Sequence, residues 1–329
     1  MSRIGKAFEN GKAFITFITC GDPDLETTKN VVLEAVKNGA DLVELGIPFS
    51  DPTAEGPVIQ AANKRALEGG VTTDKVFSLV EELRRETDVP LLFMTYANVV
   101  YSYDFGCPST GSGTPSTSAT LSLLKCSGTL AATEYGALRQ TQCTCGYPEC
   151  EAVEGYATIQ TGRSGIHGFL ARCRKSGIDG LILPDVPFEE KEEFSTVCDE
   201  YGVDLISLIA PTSEDRIMEI AANAKGFIYV VSSLGVTGVR SEITTDIGAM
   251  VDLVRKATDV PCAVGFGIST PEQAAQMAEV SDGAIVGSAI MKIIAEHGKE
   301  SPAEVGKYVK KMAEAVHRKM SHGDGPNVI

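Results

Sequence analysis

Apolar and polar positions follow two rhythms along this chain. Short, nearly continuous apolar runs, such as AFITFITC at 13–20 and GLILP at 180–184, alternate with longer stretches whose apolar residues recur every three or four positions. The first pattern reads as a strand buried on both faces, the second as an amphipathic helix. Taken in order, the chain predicts a short helix at 3–10 and strands at 13–20, 41–45, 90–96, 180–184, 204–209, 226–232, 262–265 and 283–286. Helices are predicted at 25–38, 57–67, 73–87, 166–176, 188–201, 213–223, 245–258, 271–278 and 288–297, with a last one at 302–320. Thr72 or Thr73 is a suitable cap for the 73–87 helix.

Eight apolar strands, each followed by a helix, imply an α/β protein of the (β/α)8 TIM-barrel class rather than an open sheet. The first βα turn, CGDPD, lacks the glycine fingerprint of dinucleotide-binding folds, which weakens the doubly wound alternative. One stretch breaks the rhythm. Residues 104–164 are rich in Ser, Thr and Gly, poor in long apolar runs and free of His. Without them the chain has close to the ~250 residues usual for such a barrel.

Composition narrows the function classes. With 43% hydrophobic residues the chain can bury a large core. A net charge of −15 and a pI near 4.8 argue against nucleic acid and against an anionic membrane surface. The start, MSRIGKAFENGKAF, has no long apolar segment of the signal-peptide kind, and no run reaches transmembrane length, so a cytoplasmic protein is expected. Cys20, Cys173, Cys198 and Cys262 are scattered in apolar surroundings, as reduced core thiols would be; the other five of the nine cysteines fall between Cys107 and Cys150.

The chemistry concentrates in VELGIPFSDPTAEGPVIQ, residues 43–60. Glu44 stands inside an apolar strand, where an ionised carboxylate is costly, so it should be neutral, hydrogen-bonded or functional. The loop that follows carries Asp51 and a further acid, Glu55, at the strand end where such barrels keep their catalytic groups. Glycine-rich turns follow the last three strands: LGVTG at 234–238, GFGIS at 265–269 and VGSA at 286–289. Glycine admits a phosphate close to backbone N–H groups, and a helix start adds donors and a favourable dipole. The four histidines fall in none of these motifs, so neither a catalytic triad nor a His-rich metal site is supported.

The segments VELGIPFSDPTAEGPVIQAAN, MTYANVV, GLILPDVPFEE, SSLGVTGVR, GFGISTPEQ and GSAIMKII closely resemble the tryptophan synthase α subunit family, in order from about Lys12 to Ala315. The resemblance implies a lyase that cleaves indole-3-glycerol phosphate by retro-aldol chemistry to indole and glyceraldehyde 3-phosphate. It implies no cofactor in this chain, with pyridoxal phosphate in a partner β subunit and an α2β2 heterotetramer. Glu44 matches the family's catalytic glutamate, flanked by Val43 and Leu45, which should desolvate it. The family's loop acid is usually aspartate; here Glu55 holds that place, one methylene longer. Phe17, Met94, Tyr229 and Thr237 match substrate-pocket positions. Gly238, Gly267, Gly287 and Ser288 match the phosphate-binding turns, and Asp51, Asn98 and Pro187 match positions near the β-subunit contact or its coupling.

Joining Tyr103 directly to Gly165 gives a smooth, family-like passage, so 104–164 reads as an insertion in the βα loop after strand three. The expected organisation is one barrel from 1–103 and 165–320, the inserted tract, and a tail at 321–329. Its CTCGYPEC segment has the spacing C-x-C-x₄-C instead of paired C-x₂₋₄-C, which leaves zinc, disulfides and a ligand-free appendage open, the last favoured. On this face the tract is expected to obstruct or remodel the β-subunit interface. Two other readings compete with the lyase. One is a barrel scaffold presenting the tract as a binding module, with weakened catalysis; the other is a different phosphate-handling barrel enzyme such as an isomerase.

Overall fold

The computed structural model describes residues 3–103, 165–231, 246–265 and 267–318. The expectations for the 104–164 tract, the 321–329 tail and the end of the last helix concern residues outside this range. All strand pairings are parallel, and the sheet runs in one continuous order of nine segments. The strands are Ala13–Thr19, Leu42–Gly46, Leu91–Met94, Gly180–Ile182, a fifth in two pieces (Asp204–Leu205 and Ser207–Ile209), Ile228–Val231, Cys262–Gly265 and Gly283–Val286. The first strand pairs with both the second and the eighth, and the two pieces of the fifth end the order on either side. They are separated only by Ile206, so the sheet returns to itself as a barrel.

That interruption departs from the unbroken strand expected at 204–209. Asp204 and Leu205 pair with the fourth strand, whereas Ser207–Ile209 pairs with the sixth. Ile206 donates its N–H to Leu181 O at 2.9 Å. The chain changes partner there, and the change closes the barrel.

Side chains alternate across each strand. One set, including Ile15, Leu42, Leu92, Ile182, Ile206 and Phe227, packs together inside the barrel, with Ile4 of the first helix added to it. The opposite set, including Phe14, Val43, Leu45, Phe93 and Leu181, packs with helical residues such as Val31, Val80, Phe169 and Val309. The strands are buried on both faces, which is why they read as unbroken apolar runs.

Helix ends follow local chemistry. Thr72, not Thr73, caps Thr73–Leu83 by accepting the Lys75 N–H. That helix stops before the expected residue 87. Arg84, its C-cap, reaches away with its guanidinium to Gly177 O, Val89 O and Asp179. The helix expected at 188–201 begins as a 3₁₀ turn, Phe188–Glu190, before the α-helix Lys191–Tyr201. A further helix, Ala97–Tyr101, was not expected; it is too short for a periodicity to show. Asp185 holds its start, both carboxylate oxygens accepting the Ala97 N–H.

Across the gap after residue 103, Gly165 donates its N–H to Tyr103 O at 2.7 Å. The last described residue before the tract and the first after it are therefore direct neighbours.

Candidate functional site

A cavity of about 230 Å³ opens where the strands end. Its wall takes Phe17 from the first strand, Met94 from the third, Tyr229 from the sixth, and Gly267, Gly287 and Ser288 from the turns after the seventh and eighth. Glu55 joins them from the loop after the second strand. Glycines inside the barrel make room for the rings. A Cβ on Gly46 would lie 2.6 Å from Phe17 Cζ, and one on Gly265 would overlap the Tyr229 ring. At those positions the absence of a side chain lets the Phe17 and Tyr229 rings lie against the backbone.

Glu44 sits on the second strand beside Phe17 of the first and Leu92 of the third. It is fully buried, and neither carboxylate oxygen has a hydrogen-bond partner among the described residues. Burial pushes its pKa up to about 8, so the neutral acid is the resting form near pH 7. The expected cause needs correction. Val43 and Leu45 face the helical layer, so they do not desolvate the carboxyl; the barrel interior does. Glu44 does not line the cavity itself, but its neighbour Phe17 does. Tyr229, another wall residue, has its pKa raised by burial and, after that, by the charge of Glu44, so the two lie within electrostatic reach.

Glu55 is held differently. Its carboxylate oxygen Oε2 accepts a hydrogen bond from Asn63 Nδ2 at 2.6 Å, and its main-chain oxygen accepts one from Gln60 Nε2 at 2.7 Å. Burial raises its pKa to about 7, against the opposing hydrogen bonds of Asn63 and Tyr96. The Tyr96 hydroxyl also accepts the Ala54 N–H at 3.3 Å. Asn63 and Tyr96 did not emerge from the sequence reading. A signal existed for Asn63, which falls among Ile59, Ala62 and Ala66 on the buried stripe of Pro57–Glu68, where an amide needs a partner.

In the turn after the seventh strand, Gly267 takes a left-handed φ of +82° that a side chain would resist. Gly287 caps the helix Ser288–His297, whose first turn carries no acid. A helix start without a carboxylate leaves its N–H groups and dipole for an anion. Thr237 and Gly238, expected on the adjoining loop, lie outside the described residues. Asp51, Asn98 and Pro187 are exposed and do not line the cavity. Asp51 and Pro187 stand on the loops after the second and fourth strands, and Asn98 in the short helix Ala97–Tyr101 after the third. No cluster of three metal-ligating side chains occurs among the described residues, and the four described cysteines are free and buried.

The model of the family described as tryptophan synthase alpha chain matches residues 5–106 and 158–321. The chain belongs to this family. Its match breaks where the inserted tract lies. The chain is 40% identical over 319 residues to the tryptophan synthase alpha chain of Lacticaseibacillus casei, covering 97% of both. Among solved structures it is similar to tryptophan synthase subunit alpha from Legionella pneumophila str. Paris, with 31% identity, a TM-score of 0.70, and 96% and 98% of the two chains covered. It is also similar to a chain from a structure of the tryptophan synthase a2b2 complex of Pyrococcus furiosus, with 29% identity, a TM-score of 0.68, and 92% and 99% covered. Among the described residues, no helix is long and apolar enough to cross a membrane.

Proposed function

We propose that this chain cleaves indole-3-glycerol phosphate to indole and glyceraldehyde 3-phosphate, the α reaction of tryptophan synthase, as a lyase of tryptophan biosynthesis. The observation that carries the site assignment is one apolar cavity walled by the buried carboxyl Glu55 and an acid-free helix start, with the desolvated acid Glu44 next to its wall residue Phe17. The indole ring packs against Phe17, Met94 and Tyr229. The phosphate takes the turn at Gly267 and the N–H groups at Gly287 and Ser288; Thr237 and Gly238, outside the described residues, keep the substrate- and phosphate-binding roles the family resemblance implies. Turned toward the cavity, neutral Glu44 gives its proton to the ring carbon that bears the glycerol chain. Positive character then reaches the ring nitrogen, and the Glu55 carboxylate stabilises it by accepting the indole N–H. As the carbon–carbon bond breaks, its electrons return to the ring, and the hydroxyl proton of the neighbouring carbon passes to the Glu44 carboxylate. An aldehyde forms and the acid is restored.

No cofactor takes part in these steps. The expected partner is the pyridoxal-phosphate-dependent β subunit in an α2β2 assembly, docking on the rim that carries Asp51, Asn98 and Pro187. Residues 104–164, inserted in the chain after the third strand, are proposed to obstruct or remodel that docking surface. Deleting 104–164 and titrating β subunit against both forms tests that: equal affinity sinks it. Nothing favours the scaffold reading, because the family match spans the barrel on both sides of the tract. The decisive assay is indole release from indole-3-glycerol phosphate, with and without β subunit. No release under either condition overturns the reading.

A further inference from the structure

We propose that Asn63 is a positioning residue for the loop acid: its amide, hydrogen-bonded to Glu55 Oε2, fixes the carboxylate in the orientation that receives the indole N–H. This rests on the reading of Glu55 as that acid. Asn63 is 3% exposed and donates at 2.6 Å, so the bond is made away from water. The helix Pro57–Glu68 is itself anchored. Arg65 Nε and Nη2 reach the two carboxylate oxygens of Asp22 at 2.8 and 2.7 Å, and Asp22 is 1% exposed. Three residues before Asn63, Gln60 holds the Glu55 main chain. One helix therefore grips the acid at its backbone and at its carboxyl.

The grip is needed because glutamate has one more rotatable bond than aspartate. A carboxylate on a longer arm samples more positions, and a fixed donor restores the single position catalysis uses. Asparagine suits the role as a neutral donor: its amide does not take the proton from the acid it holds. By bonding the ionised form, Asn63 also works against the burial that raises the Glu55 pKa. The other titratable group bonded to Glu55 is Tyr96, which in turn feels Asp185.

The test compares wild type, Asn63→Leu, Glu55→Gln and the double variant, in indole release across pH. Leucine keeps the branched shape and removes the donor, though its methyl groups are bulkier than the amide. Asn63→Leu is expected to lower kcat/KM about tenfold and move the acid limb of its pH profile up by about one unit, the scale of one hydrogen bond to a charged group. In the Glu55→Gln background the same change should have no further effect, since there is no carboxylate left to position. Asn63→Ala, which also removes the donor, carries the comparison should the leucine variant not fold. An unmoved acid limb, or a loss that persists in the Glu55→Gln background, overturns the proposal while Glu55 keeps its role. Wild-type activity in Glu55→Gln overturns the reading of Glu55 itself, and the proposal falls with it.

Discussion

Asp41, Asp179 and Asp282 each stand one residue before a strand, at the N-terminal end of the barrel, and are fully engaged; Glu44, within the second strand on the way to the catalytic end, is not. Asp41 accepts the Phe14 N–H at 2.7 Å and returns its own N–H to Phe14 O at 2.9 Å. Asp179 does the same with Leu91, and Asp282 with Cys262. Each also meets a cation or histidine from elsewhere: His317 for Asp41, Arg84 and Arg3 for Asp179, Arg255 and Lys12 for Asp282. Glu44, by contrast, has no partner among the described residues. Partnered acids clamp neighbouring strands together, whereas an unpartnered acid costs stability and stays because its proton is useful. In this barrel one end holds and the other end works.

The largest effect that tests this contrast is at Glu44. Glu44→Gln should lower indole release roughly 10²–10⁴-fold, the worth of a positioned acid. It should also be more thermostable than wild type at pH 7. The folded pKa of Glu44 is raised to about 8. Its favourable contribution is therefore fully present only below the unfolded value near 4.5 and is lost as pH rises to about 8. The stability gap in favour of the glutamine variant should widen over that window and then level. Full activity, or a variant less stable than wild type at pH 8, breaks the contrast.

At the other end, Asp179→Ala should cost about 3–5 kcal/mol in denaturant unfolding, the scale for removing one partner of a buried ion pair. Both Asp179 and Arg84 are about one-tenth exposed, so the stranded guanidinium finds little water. Activity per folded molecule should be unchanged. A large fall in kcat with unaltered stability would show that the two ends are not separate.

Much of this was legible in the residues. Strands buried on both faces write themselves as apolar runs, and Glu44 stood out as a charge inside one. Glu55 was visible as a further acid in the loop after that strand, and the family resemblance gave it a role. Neutral side chains that act through an acid were not: Asn63 and Tyr96 look like ordinary helix and strand-end residues until the loop folds back on them. The aspartate clamps were equally hidden. A residue before a strand reads as loop, and its partners, such as His317 for Asp41, lie far along the chain. The break at Ile206 belongs to the same kind, because it follows from closing the barrel and not from local preference.

A smaller effect separates the two working acids from each other. Glu44 acts while protonated and Glu55 while ionised, so kcat/KM should follow a bell. Its acid limb lies near the Glu55 value of about 7 and its alkaline limb near the Glu44 value of about 8. Outside that interval the rate should fall about tenfold per pH unit. A profile flat from pH 6 to 9 would mean that neither group titrates in the step being measured.

The smallest effect tests the holding end, where titration should move stability and leave catalysis alone. His317 Nε2 lies 2.7 Å from Asp41 Oδ2 and ties the last helix to the start of the second strand. The bond to Asp41 raises the histidine pKa, against partial burial. A raised folded pKa places the stabilisation below the unfolded value of about 6.5 and removes it as pH climbs through the folded value. The pair is about one-third exposed, so His317→Ala should cost only about 0.5–1 kcal/mol at pH 6 and approach nothing by pH 9. Urea midpoints at the two pH values measure it. An equal cost at both would make His317 a packing residue, and the Asp41 clamp would then rest on its carboxylate and main-chain bonds to Phe14 alone.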